Sequence, residues 1–392
     1  MTNEAAVPTR DRIPSLTGLR GWAALLVVLY HLSGELGALP VISAAVHFGR
    51  MGVTLFFVLS GFVLTYTYYG QDTPKWTFWW RRFARIWPLH IAVLLGCTLG
   101  LLALGDKVSV SAVGPSALLL HAWIPSATVQ GDVLGTSWSL SDEAFFYALF
   151  PFLLLPVARR WMSWHRIVGG LWLLGLAYYL VTSLSTVGFA QVWALDYLPL
   201  ARVAQFVTGI AIGVAFMHGR KAPVSLWTAL GLVVGWNLLM LAWDHAPSGF
   251  AFRPFSASEA LAFPLFALLI WAVADRDRDG RPSKVLASPA VIRLGHWSYA
   301  WYLVHRAGIM LWMRLAGRPV GLAETAVSWL VVAGCTLAVA GLCYELWEKP
   351  AERWLKYRFL GAAKAASATV ARPRLALESV AQTARVTRRP PT

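Results

Sequence analysis

Charge is what this sequence has least of. Only 14% of its 392 residues are Asp, Glu, Lys or Arg and 57% are hydrophobic, whereas an ordinary soluble domain is about 25% charged. That deficit excludes a water-soluble fold, a disordered chain and a nucleic-acid-binding protein. Acidic residues are the scarcer sign, 19 against 34 Lys and Arg, for a net charge of +15. Cysteine is nearly absent. Cys97, Cys335 and Cys343 sit in apolar runs without paired spacing, so they announce neither a disulfide framework nor a metal site. There is no repeat with a period of about 20–50 residues. Nor do the first apolar runs align with the last, as they do in many transporters built from repeats.

What the sequence has in abundance is long apolar stretches. A helix crossing a bilayer needs about 20 mostly apolar residues. Ten such runs lie at 17–36, 49–68, 86–105, 139–157, 166–184, 198–217, 224–243, 256–274, 294–315 and 323–345. An eleventh, 112–124, is too short to cross and is expected to dip into or lie on the outer face. With the N-terminus cytoplasmic, 27 of the 34 Lys and Arg fall in inner segments, five in outer segments and two, Arg202 and Arg306, inside runs. The positive-inside rule therefore places both termini in the cytoplasm. The expected protein is an all-α polytopic bundle of about ten transmembrane helices in the cell membrane. It has a short cytoplasmic segment at 1–16, a membrane domain over 17–357 and a basic, disordered cytoplasmic tail at 358–392. The 21 Trp suit the membrane–water boundary. The first run has no small-residue cleavage site, so it is expected to stay attached as a span rather than act as a signal peptide.

Ionisable groups within such runs are costly and mark function. Arg20 and His31 are eleven residues apart in GLRGWAALLVVLYH, within about 20° of one helix face and about 16 Å apart along it. One face thus carries a guanidinium at the inner boundary and an imidazole near mid-membrane. The bland alternative for His31 is a packing residue. Ser60 and Gly61 suit a notch for close helix approach. The loop KWTFWWRRFARIWPLH places Arg82 and Arg85 three residues apart, fit to grip a phosphate ligand or to anchor the interface. In GTSWSLSDEAFFYALFP, Ser139, Ser141, Asp142 and Glu143 read as a helix N-cap with acids near the dipole, or as the source of a carboxylate for an imidazole. His305 and Arg306 lie within an apolar run and need a polar partner or a cavity. Glu345, Glu348 and Lys349 have the spacing of ordinary surface pairs.

Six segments resemble, in order, those of the membrane acyltransferase-3 family: Arg20 with His31 in GLRGWAALLVVLYH, FFVLSGF at 56–62, RRFARIWP at 81–88, WSLSDEAFFYALFP at 138–151, SYAWYLVH at 298–305 and EKP at 348–350. The resemblance covers residues 15–355 and implies about ten helices with both ends cytoplasmic. It implies transfer of an acyl group from acyl-coenzyme A, a co-substrate rather than a tightly bound cofactor, to a hydroxyl of a carbohydrate or secondary metabolite. No metal is implied. The implied partners are acyl-coenzyme A, a small-molecule or glycan acceptor and the lipid bilayer, with no nucleic acid. The family's arginine-to-histidine motif maps onto Arg20 and His31, its arginine pair onto Arg82 and Arg85, and its acid onto Glu143; Asp142 receives no catalytic role. Many relatives carry a further soluble hydrolase-like domain, and the chain is expected to lack one. The opening RIPSLTGLRGWAALLVVLYH also resembles stand-alone enzymes that acylate macrolide-like macrocycles.

The resulting expectation has Arg20, Arg82 and Arg85 holding the coenzyme phosphates and His31 acting as general base. Glu143 orients the ring. Tyr147, Tyr302 and Ser60 are candidate oxyanion donors and His305 is a supporting residue. The alternative from another class is a proton-coupled transporter using His31, Glu143 and His305 as a relay.

Overall fold

The computed structural model describes residues 13–131, 133–185, 188–244 and 261–359. The N-terminal segment to residue 12, the start of the eighth run at 256–260 and the tail from 360 lie outside the described residues. Those described are helical, with no strand among them. The long helices are α1 (Pro14–Leu36), α2 (Met51–Tyr68), α3 (Lys75–Ala103), α4 (Trp138–Ala158), α5 (Trp164–Ser185), α6 (Pro199–Met217), α7 (Leu226–Asp244), α8 (Phe263–Arg278), α9 (Pro289–Ala316) and α10 (Leu322–Cys343). Among the described residues six helical stretches are long and apolar enough to cross a membrane: Pro14–Leu36, Met51–Tyr68, Lys75–Ala103, Trp138–Ala158, Phe189–Met217 and Leu322–Phe359.

At the centre α1 packs along α9 and against α2, α2 packs along α6, and α6 meets α4 and α5. The α2–α6 approach is close because two glycines face each other's backbone. A Cβ on Gly61 would strike the Phe206 carbonyl, and one on Gly209 would strike the Val58 carbonyl. Gly61 is therefore the notch that its sequence suggested. Aromatic rings fill the adjoining space: Phe146 stacks on Phe206 and meets Phe57 edge-on, both with centroids 5.0 Å apart.

Three local findings shape the site. First, the Arg/Trp-rich stretch expected as a loop is the first half of α3, which starts at Lys75 behind Pro74. No helix breaker lies between Lys75 and Pro88, so the helix runs unbroken into the apolar part. Its tryptophans are stitches: Trp79 Nε1 donates to the Tyr147 carbonyl (3.1 Å), Trp80 Nε1 to the Leu355 carbonyl (3.1 Å) and Trp87 Nε1 to the Ala117 carbonyl (3.0 Å).

Second, the short run 112–124 splits into the helix Val110–Ala117 and a 3₁₀ turn at His121–Trp123. They are joined through Leu119, a non-glycine residue at φ +57°, a conformation that costs an L side chain. Ser141 Oγ donates to the Leu119 carbonyl at 2.5 Å and helps to hold it.

Third, two π-turns occur, Trp193–Tyr197 just before α6 and Tyr344–Glu348 just after α10. Each turns an acid inward. Asp196 lies 3.6 Å from Arg202 and 3.7 Å from Arg50. Glu348 is 2% exposed and ion-pairs with Arg85. The expected surface role thus holds for Glu345, which pairs with Lys349 at 2.9 Å, but not for Glu348.

Candidate active site

The polar residues singled out from sequence gather around two adjoining chambers. The first, about 130 Å³, is lined by Arg20 from α1, Ser60 from α2, Arg82 and Arg85 from α3, Ser139, Glu143 and Tyr147 from α4, and Tyr299 and Tyr302 from α9. The second, about 300 Å³, is lined by Tyr30, His31 and Glu35 from α1, Arg50 and Val53 at the start of α2, Gly135, Thr136 and Trp138 leading into α4, Tyr197, and Tyr302 and Arg306 from α9. Arg20 and His31 therefore do share a face of α1, one opening on each chamber. Val53 and Tyr302 line both.

In the arginine chamber, Arg85 is already balanced: it ion-pairs with Glu348 and, at 3.3 Å, with Glu352. Arg82 is not. Its guanidinium lies 5.9 Å from the Tyr68 ring and 5.8 Å from the Tyr147 ring, and its buried Nε has no hydrogen-bond partner among the described residues. A buried, unsatisfied charged donor on a chamber wall is expensive unless a ligand completes it. Glu143 is the carboxylate of this chamber. It accepts from Tyr147 Oη and, at 3.4 Å, from Ser60 Oγ.

In the histidine chamber, His31 Nδ1 is 2.9 Å from the Val27 carbonyl and 3.3 Å from His305 Nε2, and His305 Nδ1 is 3.1 Å from the Trp301 carbonyl. Carbonyl oxygens only accept, which assigns the protons: each neutral ring carries hydrogen on Nδ1. His305 Nε2 then accepts from the shared His31 Nδ1–H. The lone pair on His31 Nε2 remains for chemistry. Arg306 Nε donates to Glu35 Oε1 at 3.1 Å. Gly135 lies against it: a Cβ there would meet Arg306 Nη1, so a larger residue would displace the guanidinium.

The expected contact between Glu143 and His31 is not among the hydrogen bonds of the described residues. Positions 139, 143 and 147 are spaced by four along α4 and all line the arginine chamber, whereas the neighbour of His31 is His305. The expected oxyanion donors are also committed, Tyr147 and Ser60 to Glu143 and Tyr302 Oη to the Thr136 carbonyl at 2.7 Å. Asp142 is fully buried, lines neither chamber and has no hydrogen-bond partner on either oxygen among the described residues. Sequence reasoning missed Glu35 and Arg50. Glu35 was discoverable, since it lies four residues after His31 on the same face. Arg50 had no local signal, because its partner Asp196 is distant in the chain.

Comparison with known proteins shows the family of the chain. A family model described as an acyltransferase domain matches residues 13–345. The chain is 33% identical over 383 residues to Acyltransferase MdmB of Streptomyces mycarofaciens, covering 90% of this chain and 94% of that protein. It is 28% identical over 332 residues to the exopolysaccharide production protein ExoZ of Rhizobium meliloti, covering 82% and 94% respectively. It is 29% identical over 163 residues to O-acetyltransferase OatA of Staphylococcus aureus, covering 38% of this chain and 26% of that protein. No solved structure gives a significant match.

Proposed function

This chain belongs to the acyltransferase-3 family, and from that premise we propose that it moves a short acyl group from cytoplasmic acyl-coenzyme A to a hydroxyl of a macrocyclic metabolite or a carbohydrate. The observation that carries this reading is the meeting of an arginine-lined chamber with a histidine-lined one across a single wall. In this reading the protein crosses the cell membrane about ten times with both termini cytoplasmic, so the arginine chamber opens inward.

Arg20 and Arg82 supply charge for the coenzyme's phosphates, and the orphaned Nε of Arg82 is a donor waiting for such an anion. Arg85, balanced by Glu348 and Glu352, supports the arginine wall. The arm of the donor reaches the wall at Val53 and Tyr302, beyond which His31 lies. The acceptor hydroxyl gives its proton to Nε2 of His31, and its oxygen bonds to the thioester carbonyl carbon. The C–S bond breaks and the same proton passes from Nε2 to the departing thiolate, so nothing is consumed beyond the two substrates. His305 holds the ring in the productive tautomer, the role a carboxylate plays in a hydrolase triad. Arg306, anchored by Glu35 at its Nε, lines the histidine chamber with Arg50 and in this reading stabilises charge on the carbonyl oxygen.

The test is release of free thiol from acyl-coenzyme A by purified protein, with and without macrocycle and sugar panels. Acceptor-dependent release supports the reading. Its absence with every acceptor and donor overturns it.

A further inference from the structure

The wall between the two chambers is built with unusual economy. Val53 on α2 and Tyr302 on α9 line both chambers, and each is more than nine-tenths buried. The phenol of Tyr302 is bolted from either side. Its Oη donates to the Thr136 carbonyl at 2.7 Å, and Thr136 lines the histidine chamber. With that proton committed, Oη accepts from Ser139 Oγ at 2.7 Å, and Ser139 lines the arginine chamber. The ring also lies against His305, centroids 5.9 Å apart, and so borders the imidazole that fixes the tautomer of His31. A side chain that served packing alone would not need one polar partner from each chamber.

We propose that Tyr302, with Val53 opposite, is the specificity-determining wall of the acyl route: it sets the largest acyl group that reaches His31 and keeps water of one chamber from the thioester in the other. This rests on the acyl-transfer reading above. In this proposal the space between the bolted ring and Val53 passes a narrow chain and rejects a bulky one. Water that crosses in place of the acceptor would bond through oxygen to the thioester carbonyl carbon as the C–S bond breaks, leaving free acid and thiol. Exclusion of water from an acyl-transfer site suppresses that side reaction.

The experiment uses the full chain, purified, with straight-chain acyl-coenzyme A donors of increasing length and an acceptor that the unaltered protein uses. For each donor, acylated acceptor and free acid are measured separately. Tyr302→Ala should move the length cut-off to longer chains, with turnover of donors just beyond the original cut-off rising by about tenfold or more, and should raise the share of free acid. Tyr302→Phe keeps the ring and removes both bolts, so the cut-off should stay while free acid rises by less. Val53→Phe narrows the gap from the other side and should move the cut-off to shorter chains. A folded, active Tyr302→Ala protein with the original cut-off and free-acid share overturns the proposal. Should that variant fail to fold, an unchanged cut-off in Val53→Phe overturns it. An unaltered protein that releases no thiol from any donor overturns instead the acyl-transfer reading on which the wall depends.

Discussion

The two chambers share a wall and are built on opposite electrostatic plans. In the arginine chamber three guanidiniums face one lining carboxylate, Glu143, and among the described residues only Arg85 has ion-pair partners. In the histidine chamber each lining arginine is in an ion pair, Arg306 with Glu35 and Arg50 with Asp196, which also pairs with Arg202. One space therefore keeps two guanidiniums, Arg20 and Arg82, outside any ion pair of the described residues in a poorly solvated setting, and a bound anion would complete them. The other is polar with each lining arginine already ion-paired, and a neutral hydroxyl-bearing molecule can enter it without disturbing those pairs. The difference teaches which substrate belongs where: the anionic donor on the arginine side and the neutral acceptor beside His31.

Substitutions can break or sharpen that contrast. The largest effect is expected at the base: His31→Ala should lower acceptor-dependent transfer by about 10²–10⁴-fold while leaving membrane insertion and the thermal midpoint unchanged, and near-normal turnover would sink the scheme. Arg306→Gln should lower kcat by about 10²-fold with the donor KM unaltered, because its chamber does not hold the anion; a change confined to donor KM would reverse the assignment of the chambers. Arg82→Ala should act the other way, raising the donor KM by about tenfold or more with a smaller change in kcat, as read from steady-state kinetics over a donor series.

Glu143→Gln separates the structure from the simpler triad expectation. Since Glu143 is held by Tyr147 and Ser60 rather than by His31, transfer should fall by no more than about tenfold, whereas a residue orienting the base would cost about 10⁴-fold. The smallest effect concerns the fold beside the chambers. Ser141→Ala removes the hydroxyl that holds the Leu119 carbonyl and should cost about 1 kcal/mol, seen as a lowered midpoint in thermal denaturation at unchanged kcat.

Much of the scaffold was readable before any coordinates because helix periodicity is local. The spacing of Arg20 and His31 told that both lie on one face of α1, and the spacing of Arg82 and Arg85 that they share a wall. Gly61 was readable as a notch for the same reason. What was unreadable depends on helices distant in sequence. His31 and His305 are 274 residues apart, Arg306 and Glu35 are 271 apart, and Arg85 and Glu348 are 263 apart; no periodicity within a segment reports such pairings. Glu143 misled for a related reason. Its closeness to a helix start and to aromatic residues was compatible with either chamber, and only the packing of α4 against α6, α3 and α2 decided between them. The helical start of α3 was hidden by its polar composition, which matches a loop when residues are counted and a helix when breakers are counted.

The π-turns at Trp193–Tyr197 and Tyr344–Glu348 offer a different lever. A π-turn carries one residue more than an α-helical turn, and one residue is about 100° of rotation. Deleting a single residue within 344–348 would swing Glu348 around the helix and away from Arg85, with no residue of the arginine chamber changed in identity. The charge available to a donor anion is therefore adjustable by register alone. A lineage of such proteins can retune its grip on the donor through one-residue insertions and deletions at the far end of the chain, where alignments of chamber residues would record nothing.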